Sequence, residues 1–181
     1  MMEATETPAR LDGYAAALFD VARAEGDVDA FVDAFYAAAK TISANSELRD
    51  ALSDPQIPIA RRQGTVTDLL GTRVDGAVVA SINFVVAVGQ AKFLDEIASR
   101  LAEIAAEEEG TVVAEVQSAV ALDAAQVARL EAALSKATGK RVQAKVVTDS
   151  SIMGGLVAKI GDTIFDGSVK GRLDDVREQW G

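Results

Sequence analysis

The spacing of apolar residues changes at Gly110, and this change limits the chain to a helical part followed by a mixed part. Before Gly110, apolar side chains recur every three or four residues, which is typical of amphipathic helices. After it, Thr111 to Ala119 is rich in valine and alternates as a β-strand does. We therefore predict two domains, residues 1–107 and residues 108–181.

The first domain is predicted to be a bundle of six helices, which makes the fold mainly α. Its first helix begins at Thr7-Pro8, where threonine is a favoured N-cap and proline a favoured first helical residue. Short connections separate the helices, as in compact bundles. The fifth segment, Val74 to Val88, is apolar on nearly all sides, so we expect it to lie in the middle of the bundle.

The second domain is predicted to be a small α+β fold, in the order strand, helix, strand, strand, strand, helix. Asp123 and Gln126 form a capping-box pattern at the start of its first helix. Gly161-Asp162 separates two short apolar runs, which predicts a tight β-hairpin. A last helix is expected from Val169 to Trp180.

Composition argues against most kinds of catalytic site. The chain has no cysteine and no histidine, so it lacks disulfides, the commonest general base and the commonest metal ligand. It also lacks a phosphate-binding Gly-x-x-x-x-Gly-Lys-Ser/Thr loop. The acidic run Glu107 to Glu109 is interpreted as a solvated helix end. We therefore expect no cofactor, no bound metal and no enzymatic activity.

Charge and hydropathy restrict the partners. The net charge of -10 opposes binding to nucleic acid, whose recognition needs clustered lysine and arginine. The longest apolar run, Ala77 to Ala91, is shorter than the roughly 18–20 residues of a membrane span. Met1 to Asp12 does not resemble a signal peptide. We expect association with a membrane only through other proteins.

Residues 152–173 combine several glycines and turn residues at fixed spacing. This run resembles the C-terminal signature of the delta subunit family of F-type ATP synthases, which includes the mitochondrial oligomycin-sensitivity-conferring protein. Tyr14 to Phe19, Asn45 to Pro55 and Gly110 to Ala119 are similar to further motifs of that family, in the same order. The signature residues, expected to be mainly structural, are Gly154, Gly155, Gly161, Asp166, Gly167, Ser168, Gly171, Arg172 and Leu173.

This chain differs from the family pattern at two places. Ser46 stands where the family usually has proline, in the turn between the second and third helices. Gly89 to Phe93 replaces the usual Asn/Gly-Arg-Leu turn between the fifth and sixth helices, and the connection is a few residues shorter. The second departure leaves this chain without the arginine of that turn.

The resemblance implies a non-catalytic subunit of the peripheral stalk, or stator, present in one copy per synthase. Its first domain would bind the amphipathic N-terminal segment of an alpha subunit, with possible contact to beta, in a groove between the first and fifth helices. Its second domain would bind b-type stalk subunits. The implied location is the cytoplasmic face of a bacterial inner membrane. The groove residues would be Tyr14, Ala17, Leu18, Val78, Ile82 and Val85, and the stalk contacts Arg172, Val176 and Trp180.

The sequence alone leaves two other functions open. The first is a soluble adaptor that binds amphipathic helices outside ATP synthase, which the same helical domain would serve. The second is an enzyme that uses its acidic residues. Recovery of synthase subunits with the chain would favour the stator, and turnover that depends on Glu107 to Glu109 would favour the enzyme.

Overall fold

A computed structural model describes residues 8–152 and 154–167 of the 181-residue chain. The chain divides into two compact units, residues 1–105 and residues 106–181. The described residues are mainly helical and include one small mixed sheet of four strands, in agreement with the predicted fold class.

The first unit is helical throughout its regular elements. A single turn of 3-10 helix, Ala91–Phe93, directly precedes its last helix, which continues a few residues past the boundary between the units. The α-helices are α1 (Pro8–Glu25), α2 (Val28–Ala44), α3 (Ser46–Ser53), α4 (Ile59–Leu70), α5 (Gly76–Ala87) and α6 (Leu94–Glu108).

Polar residues between these helices fix where they begin. The carboxylate of Asp27 accepts a hydrogen bond from the Ala30 amide at 3.0 Å, and Asn45 does the same for Leu48 at 3.0 Å. Such caps satisfy amide groups that have no partner inside the helix. Side chains from several helices then share one core, which contains Phe35, Ile42, Leu52, Ile82, Leu94, Ile97 and Leu101, each less than 2% exposed.

The position of α5 differs from the expectation that it lies in the middle of the helices. One side is buried, with Ile82, Val85 and Val86 at 0% exposure. The opposite side is open, and Phe84 is 44% exposed. An apolar helix therefore presents an apolar face to solvent in the isolated chain.

In its described residues, the second unit contains a four-stranded sheet with a helix packed on it. The strand order is β2-β1-β3-β4, with β1 and β2 parallel and the other neighbours antiparallel. The elements are β1 (Val112–Ser118), α7 (Ala124–Thr138), β2 (Val142–Thr148), β3 (Leu156–Ile160) and β4 (Thr163–Asp166). The core consists of Ala114, Val116, Leu134, Val142 and Ala158.

Local sequence signals account for the ends of these elements. Asp123 accepts from the Gln126 amide at 2.8 Å and the Gln126 side chain accepts from the Asp123 amide at 2.9 Å, which confirms the predicted capping box. Gly161, in the turn between β3 and β4, has φ of +56°, a conformation that glycine adopts easily. The predicted hairpin is therefore confirmed.

Helix α7 also covers the outer edge of the sheet. Ser135 accepts a hydrogen bond from the Val142 amide at 3.0 Å, and Glu131 accepts one from the Ala144 amide at 2.8 Å. Residues 131 and 135 are four apart and share one face of the helix. They satisfy amides of the edge strand β2 that would otherwise be available for pairing with another chain.

The predicted last helix, Val169 to Trp180, lies outside the described residues. Among the residues that the structure does describe, no helix has the length and apolar character needed to cross a membrane.

Candidate functional site

The main candidate site is an apolar surface on the first unit, called here the α1–α5 surface. On α1, Tyr14, Ala17 and Val21 follow at spacings of three and four, and therefore share one face. On α5, apolar residues at 80, 84 and 88 do the same. The surface is defined by the exposed or half-exposed side chains Tyr14, Ala17, Val21, Ala80, Phe84 and Val88.

An aromatic contact joins the two halves of this surface. The rings of Tyr14 and Phe84 lie edge to face, with 6.2 Å between their centroids. Val21 is 39% exposed and Val88 37% exposed, so the apolar character extends along both helices. Contiguous exposed apolar residues of this kind mark interaction sites, whereas single exposed ones are ordinary.

The six predicted groove residues occupy two different layers. Tyr14 is half-buried and Ala17 is exposed, so both contribute to the α1–α5 surface. The other four, Leu18, Val78, Ile82 and Val85, are between 0% and 2% exposed. Side chains this deeply buried support the surface from below. The prediction that Tyr14 and Ala17 contact a partner stays a prediction.

A separate concavity of about 190 Å³ lies where the end of α1, the start of α2 and the start of α5 meet. Its walls combine apolar side chains with three carboxylates. Asp27 and Asp75 also cap α2 and α5, which fixes their positions. The residues that line it are Glu25, Asp27, Ala30, Phe31, Ala34, Asp75 and Val78.

The signature in the second unit has a geometric explanation within the described residues. Gly154 and Gly155 both have φ of +76°, in the left-handed region that other residues avoid. A Cβ on Gly167 would lie 3.3 Å from the Leu156 carbonyl oxygen. Ser168, Gly171, Arg172, Leu173, Val176 and Trp180 lie outside the described residues.

Asp149, which precedes the signature run 152–173, also lies in a turn. Hydrogen bonds from the Ser151 side chain and from its amide, the latter at 2.8 Å, lower the pKa of the Asp149 carboxyl. Such bonds favour the charged form of an aspartate that shapes its own turn. They give no indication of a catalytic carboxylate.

Comparison with known proteins decides the family. The model of the ATP synthase delta (OSCP) subunit family matches residues 12–180 of this chain. The chain belongs to this family. The match includes both units, the α1–α5 surface and the signature segment, so the resemblance predicted from motifs is confirmed.

Bacterial relatives extend over nearly the same length as this delta-family chain. An ATP synthase subunit delta from Clostridium perfringens is 31% identical over 165 residues, which are 91% of this chain and 92% of the relative. The corresponding subunit of Geobacter metallireducens is 33% identical over 166 residues, with the same two coverages. That of Maricaulis maris is 35% identical over 167 residues, again with 91% and 92% covered.

A solved structure supports the fold of this delta-family chain. A chain of the Toxoplasma gondii mitochondrial ATP synthase hexamer matches with a TM-score of 0.55 and 21% identity. The match covers 94% of this chain and 96% of that chain. At this identity the likeness concerns the fold alone.

Motif reasoning missed Val21, Phe84 and Val88, the large residues most exposed on the α1–α5 surface. A signal for them was present, because Val74 to Val88 is apolar on nearly all sides. A helix at the edge of a bundle buries only one face. Its second, exposed apolar face therefore makes this surface a candidate docking site.

Proposed function

We propose that this chain is a non-catalytic peripheral-stalk subunit of a proton-translocating F-type ATP synthase. The observation that carries the proposal is membership of the delta (OSCP) subunit family over residues 12–180. In this role the chain connects the catalytic head to the b-type stalk. It holds the head still while rotation of the central shaft exerts torque on it during ATP synthesis.

The α1–α5 surface is proposed to bind the N-terminal segment of an alpha subunit as an amphipathic helix. Helix-in-groove recognition uses apolar anchors at spacings of three and four residues. Tyr14, Val21 and Phe84 provide the matching apolar contacts, and exposed aromatic residues are frequent centres of binding energy. We also propose contact with beta subunits of the same catalytic head.

The charges beside this surface predict the orientation of the bound alpha-subunit helix. The concavity beside α1 and α5 carries Glu25, Asp27 and Asp75. A lysine or arginine at one end of the bound helix would lay its aliphatic stem on Ala30 and Ala34, which are exposed or half-exposed, and its charge against these carboxylates. The acidic composition of the chain, with net charge -10, favours such a basic partner.

The second unit, residues 106–181, is proposed to bind the C-terminal ends of the b-type stalk subunits, with Arg172, Val176 and Trp180 as candidate contacts. One copy per complex would be present. We therefore propose that the chain lies at the cytoplasmic face of a bacterial inner membrane. It associates with that membrane through the other subunits of the complex. The relatives from Clostridium, Geobacter and Maricaulis support a bacterial setting.

The direct test is to purify the tagged chain from detergent-solubilised membranes and to identify the proteins that co-purify with it. We expect mass spectrometry to find alpha and b-type subunits at a constant ratio to the chain. An untagged strain, processed in parallel, is the control for non-specific recovery. Recovery of other helical proteins without any synthase subunit would contradict the proposal and favour the adaptor.

A further inference from the structure

A cavity of about 170 Å³ between α3 and α4 contains two adjacent arginines. It is distinct from the α1–α5 surface and shares no residue with it. A water molecule occupies about 30 Å³ in the liquid, so this cavity has room for a small ion together with a few waters. The residues that line it are Ala51, Leu52, Ile57, Arg61, Arg62 and Thr65.

Arg62 is held rigidly in the wall of this cavity. It is only 7% exposed. Its Nε donates to the Ile57 carbonyl at 3.0 Å and its Nη1 donates to the Leu52 carbonyl at 3.1 Å. Because a guanidinium has five N–H donors, these two bonds leave others free. Both acceptors are neutral carbonyls, so the positive charge of the buried group is not neutralised.

Neither Arg61 nor Arg62 forms an ion pair with any residue in the described ranges 8–152 and 154–167. Carboxylates are abundant in this chain, and other arginines form ion pairs with them. Arg49 on α3 pairs with Asp50 at 3.5 Å, and Arg100 pairs with Asp12 at 3.0 Å. Two unpaired arginines at one cavity therefore indicate an anion from outside the chain.

We infer that this cavity binds a small oxyanion, either phosphate or a carboxylate group. Arg62 is a largely buried guanidinium that provides pre-positioned donors at the wall of this open cavity, and charge-assisted hydrogen bonds to an anion are strong. Arg61 is exposed, so its side chain is free to approach the same anion from the solvent side. The volume of about 170 Å³ fits a small charged group, with Ala51, Leu52 and Ile57 beside it. This inference does not depend on the proposed stator function.

The test is thermal unfolding of the full chain in inorganic phosphate, compared with chloride at the same ionic strength. We expect a saturable rise in Tm of about 3–5 °C when phosphate exceeds its Kd tenfold. Phosphate also stabilises proteins without binding to a site, so variants isolate the specific part. Arg61→Gln should remove most of the rise, and the matched control Arg49→Gln should keep it.

Two additional measurements decide the location and the kind of anion. In wild type, phosphate should shift the backbone amide resonances of Ile57 and of residues 59–62 selectively, and Arg61→Gln should remove most of these shifts. Replacing phosphate with acetate tests for a carboxylate site, and a rise with either anion supports the inference. An equal rise in wild type, Arg61→Gln and Arg49→Gln would overturn it, as would amide shifts spread evenly over the chain.

Discussion

Phe84→Asp is expected to weaken binding of the alpha-subunit N-terminal segment by at least about 100-fold, which corresponds to roughly 2.7 kcal/mol. Phe84 is 44% exposed and contacts Tyr14 at the centre of the α1–α5 surface. A carboxylate there would have to lose its hydration beneath a docked apolar helix. The fold should persist, because a partly exposed residue can place a charge in water.

The measurement is titration of a labelled synthetic peptide of that alpha segment with the purified chain, followed by fluorescence anisotropy. Leu69→Asp is the matched control, since Leu69 is 42% exposed but lies on α4 outside the α1–α5 surface. Its Kd should stay within about twofold of wild type, well inside 0.5 kcal/mol. Equal losses in both variants, or no loss in Phe84→Asp, would contradict the proposed surface.

Arg62→Met is expected to lower the free energy of unfolding by about 2–4 kcal/mol. The guanidinium of Arg62 donates to the Leu52 carbonyl in the last turn of α3 and to the Ile57 carbonyl in the following loop. Without it, two acceptors in a largely buried region lose their donors. Methionine keeps much of the packing of the aliphatic stem, so the loss reports mainly on hydrogen bonding.

Urea unfolding, monitored by far-ultraviolet circular dichroism, measures this loss as a lower midpoint. The neighbouring Arg61→Met is the control, because Arg61 is exposed and makes no ion pair among the described residues. Its effect should stay within about 0.5 kcal/mol. If both variants unfold at the same urea concentration, the hydrogen bonds from Arg62 to the Leu52 and Ile57 carbonyls do not stabilise the fold.

The sequence predicted those features of the fold that depend on local chemistry. The capping box at Asp123 and Gln126 formed because both partners lie within one helical turn. The hairpin at Gly161 formed because glycine adopts positive φ at low cost. The strand order of the sheet was not predicted, because pairing depends on contacts between segments far apart in the chain.

The candidate site was only partly predictable for a related reason. Helical spacing placed Val78, Ile82 and Val85 on one stripe of α5 and Phe84 on another. Both stripes are apolar, so the pattern does not say which one faces the core. Burial of the first stripe and exposure of Phe84 follow from the neighbouring helices. Arg62 was missed because a buried arginine in a polar segment has no distinctive pattern.

Proton-coupled ATP synthesis in membrane vesicles from a strain that lacks this chain tests the stator proposal most directly. We expect deletion vesicles to lose synthesis, because the catalytic head is no longer held against rotation. Added wild-type chain and Leu69→Asp should restore it, and Phe84→Asp should not. Synthesis at the wild-type rate in deletion vesicles would contradict the account.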